Sequence, residues 1–243
     1  MSTFSSRPYF GFLLSMFGDR GQRLHPAMHR ALMSTLTIST LEERWVEELM
    51  AGIVSSADTG NEDLVIAARA ALCDFCVTPS TISLVCSALV RNLRAHQGND
   101  RVLVPTLEVV AFLFHVGVFG MCTSVDLKAL CLLVQKAGYK TGNVRKIEAC
   151  IRVYGALALQ GLAEARKRLG ALLFHPWPRV RSMVVDELWG LLSGDLGADP
   201  DPAPVSSLVT ATATATPQRL LGVDWGVAGK AQVKQLVEEL GLV

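Results

Sequence analysis

The sequence predicts an all-α solenoid made of antiparallel helix pairs, and three observations support this fold class. Apolar residues recur at i, i+3, i+4 and i+7, the spacing of one helix face, through most of the 243 residues. Sustained two-residue alternation, which is typical of strands, is nearly absent. Polar turns at residues 18, 60, 99, 142, 178 and 222 are separated by 42, 39, 43, 36 and 44 residues. Such spacing is typical of HEAT or armadillo repeats, although a compact all-α bundle is the alternative.

Each predicted helix lies between two turns or beside one. The predicted helices are residues 41–55, 63–76, 82–96, 101–114, 125–134, 144–154, 162–174, 179–192 and 230–240. Thr40, Ser80 and Thr123 are predicted caps, because a side-chain oxygen can accept hydrogen bonds from the free amides of a first turn. Pro105 is predicted to lie early in its helix, where a missing amide donor costs little.

The chain is predicted to have three parts. Residues 1–193 form the HEAT-like helical repeats. Residues 194–217 contain four prolines and an Ala-Thr run, a composition typical of a flexible insertion that cannot hold a regular helix. Residues 218–243 form a C-terminal helix that caps the stack.

Composition places the protein in the cytoplasm, with association with the cytoskeleton as a further expectation. No apolar run is long enough to span a membrane, and the first 20 residues lack the pattern of a secretory signal. All six cysteines lie among aliphatic residues, which favours reduced thiols in the core over three disulfides. The 23 basic and 22 acidic residues nearly balance, which argues against a generally basic nucleic-acid-binding protein.

Two patterns have features of chemical sites, but neither predicts catalysis, a metal site or a cofactor. Cys73 and Cys76 have the spacing of half a zinc site, but no second pair follows. His25 and His29 can share one helix face, yet two imidazoles are too few for a closed metal site. A phosphate-binding glycine loop, a nucleophile elbow and a zinc-protease motif are all absent from the sequence. An enzyme that uses these thiols or imidazoles remains the less favoured alternative.

The charge pattern predicts a site for an acidic partner. Residues 140–181 hold nine basic and two acidic residues, a net charge of +7, between acidic flanks of −3 (residues 1–64) and −5 (residues 182–243). Such a basic band can steer an acidic protein toward the surface, whereas an ordinary solvated face is the alternative. Arg145 and Arg181 are expected to pack within their repeats instead. The predicted partner-binding residues are Lys140, Lys146, Arg152, Arg166, Lys167, Arg168 and Arg179.

Nucleic acid is not an expected partner. Stacking of bases needs exposed aromatic rings, and the rings near the basic band are few and mostly spaced like core residues. These rings are Tyr139, Tyr154, Phe174 and Trp177.

Three stretches of the sequence resemble a known family. They are residues 100–119, residues 143–154, and residues 166–189, which contain His175-Pro-Trp-Pro-Arg-Val-Arg181. Asp224-Trp225 followed by a charged helix fits as well. Together with the repeat spacing, they resemble the C-terminal region of tubulin-folding cofactor D, also called tubulin-specific chaperone D.

The resemblance implies a non-enzymatic α-solenoid that grips β-tubulin. It further implies that α/β-tubulin is joined or separated together with tubulin cofactors C and E and an Arf-like small GTPase, and that the complex stimulates GTP hydrolysis by tubulin. Family members are several times longer, so the chain is expected to be a fragment or a separately encoded C-terminal piece. The alternative is a generic HEAT-repeat adaptor for another acidic partner, such as a small GTPase.

Overall fold

The helices follow the predicted apolar spacing closely. The computed structural model describes residues 62–194 and 218–242, and every regular element in those ranges is helical. The predicted all-α fold class is therefore confirmed. The predicted helix 41–55, the His25/His29 pair and the predicted insertion, apart from residue 194, lie outside the described residues. By its internal contacts the chain divides into two compact units, residues 1–126 and residues 127–243.

The first unit contains three described α-helices. They are α1 (Glu62–Phe75), α2 (Pro79–Ala95) and α3 (Asp100–His115), and a short 3-10 turn (Phe119–Met121) follows them. Helices α2 and α3 pack against each other and against the 3-10 turn. Their core is aliphatic, with Leu89 and Leu107 fully buried, and the rings of Phe114 and Phe119 stack with centroids 4.5 Å apart.

One polar contact inside the first unit links α2 to α3. Thr106 is fully buried, and its hydroxyl donates to the Val102 carbonyl at 2.7 Å. The same oxygen accepts a hydrogen bond from Asn92 Nδ2 at 3.0 Å. Because this buried hydroxyl has both a donor and an acceptor partner, it avoids the cost of an unsatisfied polar group.

Two of the predicted caps are wrong, as is the placement of Pro105. The cap of α2 is Thr78, which forms a capping box with Thr81, so Ser80 lies inside the helix. Thr123 lies four residues before the start of the next helix at Leu127. Pro105 is the sixth residue of α3, beyond the first turn, where proline removes an intrahelical hydrogen bond. The predicted cap Thr40 is outside the described residues.

Among its described residues, the second unit contains five α-helices of ten or more residues. They are α4 (Leu127–Gly138), α5 (Val144–Leu159), α6 (Ala163–Leu172), α7 (Pro178–Gly194) and α8 (Lys230–Glu239). Residues 218–221 are also helical. Asn143 caps α5 by accepting a hydrogen bond from the Lys146 amide. Gly161 ends α5 in the left-handed region (φ +81°), where glycine is favoured.

Helices α4 to α7 alternate in direction, as in stacked helix pairs. The Cys150 thiol of α5 donates to the Val134 carbonyl of α4 at 3.7 Å, and a Cβ on Gly138 would lie 3.3 Å from the Cys150 sulfur. Helix α5 packs against α4, α6 and α7, and α4 also packs against α6. Connections of three to five residues between these helices force neighbours to be antiparallel, so the helices alternate as a HEAT-like array requires.

The C-terminal segment packs on the α6–α7 pair. Arg181 of α7 donates from a terminal guanidinium nitrogen to the Gly226 carbonyl at 3.1 Å. Trp225 is buried, and its indole N–H donates to the Leu220 carbonyl at 2.9 Å. The backbone of Leu242 approaches Gly170 of α6 so closely that a Cβ there would lie 2.8 Å from the Leu242 oxygen. Whether this segment caps the stack stays a prediction.

Candidate functional site

All six cysteines are free thiols, but only four of the six lie in the core as predicted, because Cys73 and Cys122 are half-buried. Burial raises the pKa of Cys76 to about 12, with the neighbouring Cys73 thiol adding to the effect. Burial also raises the pKa of Cys86 and of Cys131. Cys73 is half-buried, and burial and then the Asp74 carboxylate raise its pKa as well. Because the thiolate is the nucleophile, these environments disfavour thiol chemistry.

The structure does not gather ligands for a metal in the part of the chain that it describes. Within residues 62–194 and 218–242 no group of three or more His, Cys, Asp or Glu side chains could hold a metal ion. Across the same residues, none of the helices has the length and apolar character needed to span a bilayer.

The seven predicted partner-binding residues all belong to the second unit, and they differ in exposure. Lys140, Arg152, Arg166, Lys167 and Arg179 are exposed. Arg168 is half-buried. Lys146 is 7% exposed, so its side chain does not contribute to the charged surface.

Arg152 and Arg168 interact with groups of their own unit. Arg152 forms an ion pair with Glu148 one helical turn away, at 2.6 Å. Burial raises the pKa of Glu187 on α7, and the Arg152 charge partly offsets this shift. Burial raises the pKa of the Tyr154 hydroxyl in the core, and the charge of Arg168 partly opposes this shift. Arg166 and Lys167 lie on the exposed side of α6.

The expectation that Arg145 and Arg181 both pack within their repeats is not confirmed, because Arg145 is exposed and Arg181 donates to a residue outside its repeat. Arg181 is half-buried and donates to the Gly226 carbonyl. Arg145, the second residue of α5, is exposed. The two positions have similar sequence contexts, but only Arg181 has the C-terminal segment beside it.

The aromatic rings near the basic band are more exposed than the sequence predicted. Only Tyr154 is a core residue, at 4% exposure, whereas Tyr139, Phe174 and Trp177 are 67%, 41% and 38% exposed. Tyr139 lies in the turn between α4 and α5, and the other two lie in the turn between α6 and α7. We call these two turns, residues 139–143 and 173–177, the turn edge. The sequence alone does not predict this feature, because helix-like spacing does not reveal which aromatic residues fall in turns.

The conformation of the turn edge is ordered by local hydrogen bonds and ring contacts. The Asn143 amide donates to the Thr141 hydroxyl at 3.2 Å. The Trp177 amide donates to His175 Nδ1 at 3.2 Å, and the two rings meet edge to face with centroids 5.1 Å apart. Burial and the Arg181 charge lower the pKa of His175, which favours the neutral imidazole that accepts this bond.

Comparison with protein families gives one match. The family described as tubulin folding cofactor D C terminal matches residues 4–146, more than half of the chain. The chain belongs to this family. The family assignment made from the sequence is thereby confirmed. Membership of this family indicates a general role in tubulin folding. A comparison with curated proteins gave no match.

The matched residues cover only part of the predicted contact region. Residues 100–119, the first stretch of the resemblance, lie inside the match, and so do Lys140 and Lys146. The third stretch, residues 166–189, lies outside it, as do Arg152, Arg166, Lys167, Arg168 and Arg179. The roles of these cations stay a prediction.

Proposed function

We propose that the protein is a non-enzymatic, cytoplasmic tubulin-binding module that takes part in β-tubulin capture and in assembly or disassembly of the α/β-tubulin heterodimer. The observation that carries this proposal is the family match over residues 4–146. The role calls for a surface and not a reaction pocket. A stacked array of helix pairs supplies such a surface, because its turns and outer helix faces stay exposed along the stack.

The proposed contact with tubulin uses the exposed cations of α6. Tubulin is strongly acidic, so Arg166 and Lys167, both exposed, have the complementary charge. Arg168 is half-buried, and reversing its charge would also disturb the α4–α6 packing. We therefore confine the contact on this helix to Arg166 and Lys167. In this proposal tubulin cofactors C and E and an Arf-like small GTPase act in the same complex, where GTP hydrolysis by tubulin is stimulated.

The experiment is direct binding of purified α/β-tubulin to the full chain and to two variants. Arg166→Glu/Lys167→Glu should weaken binding roughly tenfold at low salt and flatten its salt dependence, since exposed charges act mainly through screened attraction. The matched control is Arg94→Glu/Arg101→Glu, which changes the total charge equally at two exposed residues of the first unit. It should change the affinity by no more than about twofold.

The possible results separate the function from the contact. Failure of the unmodified chain to bind tubulin would overturn the proposed function. Tubulin binding that both variants leave unchanged at low salt would overturn the α6 contact and keep the function. Binding of a small GTPase in place of tubulin would favour a generic HEAT-repeat adaptor.

A further inference from the structure

We propose that the turn edge of the second unit is a docking site for an extended acidic peptide segment of the partner protein. The proposal rests on the proposed function only for the identity of the partner, tubulin. It assigns to the turn edge a role separate from that of the α6 cations, and it names the chemistry that the site recognises: carboxylate side chains on a flexible chain.

The first step is that the two turns lie at the same end of the helix array. Helix α4 runs toward its turn at residues 139–143, and α6 runs toward its turn at residues 173–177. Short connections join α4 to α5 and α5 to α6, so α4 and α6 are both antiparallel to α5 and run in the same direction. Because α4 and α6 also pack against each other, their C-terminal turns lie at the same end of the array.

The second step is the exposure of three aromatic rings at this end. Tyr139 is 67% exposed, and Phe174 and Trp177 are each exposed by more than a third. Exposed clusters of aromatic residues commonly mark binding sites, because each ring supplies a large contact area at a low cost in conformational entropy. Trp177 is held against His175, so its ring is already positioned before a partner arrives.

The third step is charge complementarity. The turn edge and the adjoining helical turns, residues 135–147 and 171–185, contain no acidic residue. Their exposed cations are Lys136, Lys140, Arg145 and Arg179. The nearby Asp224 carboxylate accepts a hydrogen bond from the Gly226 amide at 2.8 Å, so it has a partner within its own loop. A peptide that places carboxylates along this end meets cations beside each turn, with aromatic area between them.

The fourth step is the backbone at Lys140. Lys140 has φ +49°, a left-handed conformation in which a side chain costs roughly 1–2 kcal/mol and glycine is favoured. Its Nζ lies 5.2 Å from the centroid of the Tyr139 ring. Residues held in such a conformation tend to cluster at functional sites. Here it places a cation directly beside the most exposed aromatic ring of the turn edge.

An acidic peptide fits the turn edge better than a nucleic acid does. Single-stranded nucleic acids bind where successive bases stack on open ring faces along a charged groove. At the turn edge Lys140 lies over the Tyr139 ring, and the edge-on contact with His175 occupies Trp177. These rings offer edges and partial faces beside cations, which suits carboxylates and the aliphatic stems of glutamate side chains.

The test measures binding of a synthetic glutamate-rich peptide to the full chain by calorimetry at low salt, with a glutamine-rich peptide as the uncharged control. Lys140→Glu/Arg179→Glu should weaken binding of the acidic peptide at least about tenfold. Tyr139→Ala should weaken it by about three- to fivefold through loss of contact area. Arg94→Glu/Arg101→Glu, with the same change in total charge, should stay within about twofold of the unmodified chain. Circular dichroism checks that each variant keeps its helix content.

The proposal is overturned if the unmodified chain does not bind the acidic peptide, or if the control variant loses as much affinity as the turn-edge variant. It is also overturned if a single-stranded oligonucleotide of equal charge binds more tightly and depends on the same residues. Tubulin binding is measured in parallel, because it tests the proposed function separately. Peptide binding at the turn edge without tubulin binding would refute the proposed function and support the docking site. Tubulin binding without peptide binding would refute the docking site and support the proposed function.

Discussion

Lys140 occupies a position where a helix usually ends with glycine. It follows α4 by two residues and has φ +49°. The comparable position after α5 is Gly161, at φ +81°, and the one after α8 is Gly241, at φ +64°. An L-residue in this region brings its Cβ close to the backbone, whereas glycine adopts the conformation freely.

Lys140→Gly should therefore stabilise the protein by about 0.5–1 kcal/mol, the relief of strain minus the greater entropy of glycine in the unfolded chain. Urea unfolding monitored by circular dichroism measures the change. Lys136→Gly is the matched control, because Lys136 lies in the last turn of α4, where the same replacement should cost about 1 kcal/mol. Equal destabilisation by both replacements would show that the left-handed conformation at Lys140 stores no strain.

At the scale of single residues, the sequence identified the charges but not their surroundings. The basic band was visible because charge can be counted along the chain. Exposure depends on which element packs beside each side chain. Lys146 is buried although Arg145 beside it is exposed, and Arg181 packs because a segment more than 40 residues later lies against it.

At the scale of helices, the apolar spacing predicted the elements well and the caps poorly. The predicted segment 101–114 corresponds to α3, observed as Asp100–His115, because one continuous apolar face determines where a helix exists. Caps depend on one or two hydrogen bonds at the boundary. Several hydroxyl residues near the start of α2 could supply them, and the observed capping box uses Thr78 and Thr81, one turn apart.

Two helical glycines of the second unit offer a matched test of the docking of the C-terminal segment. A Cβ on Gly170 would lie 2.8 Å from the backbone oxygen of Leu242 and 2.9 Å from its Cβ, whereas a Cβ on Gly190 of α7 would meet nothing within 4 Å. Gly190→Ala should stabilise the chain by about 1 kcal/mol through helix propensity. Gly170→Ala should destabilise it by roughly 1–3 kcal/mol, since the backbone of the C-terminal segment must move.

Hydrogen exchange at residues 230–242, with urea unfolding, measures both effects. Gly170→Ala should speed exchange of the amides of α8, and Gly190→Ala should leave them unchanged, because only Gly170 contacts this segment. Faster exchange in both variants, or stabilisation by both, would contradict the close packing of Leu242 on α6.

For the whole molecule, the sequence predicted the fold class and the family but not the division of the chain. The repeat spacing is nearly uniform across residue 126, yet internal contacts separate residues 1–126 from residues 127–243. Spacing reports local helix pairs, whereas a division between units depends on how many contacts cross a given turn. The turn edge was missed for a related reason, since it consists of two turns that are more than 30 residues apart in the sequence.

The six cysteines allow each unit to be followed separately in the intact protein. Cys73, Cys76, Cys86 and Cys122 belong to the first unit, and Cys131 and Cys150 belong to the second. Only Cys73 and Cys122 are half-buried, and the other four are buried. Burial raises the pKa of Cys76 to about 12, so this thiol stays protonated at neutral pH and is both inaccessible and unreactive.

At most two thiols of the native protein should therefore react quickly with a disulfide reagent at pH 8, and all six should react in denaturant without a reductant. Mass spectrometry of the labelled peptides identifies which cysteines react as denaturant increases. Labelling of Cys76 and Cys86 should report opening of the first unit, and labelling of Cys131 and Cys150 opening of the second, because a buried thiol reacts only when its surroundings open. Fewer than six reactive thiols in denaturant would reveal disulfides. Fast native labelling of Cys76 would revive the thiol-enzyme alternative, because it would require an accessible thiolate at a position where burial raises the pKa.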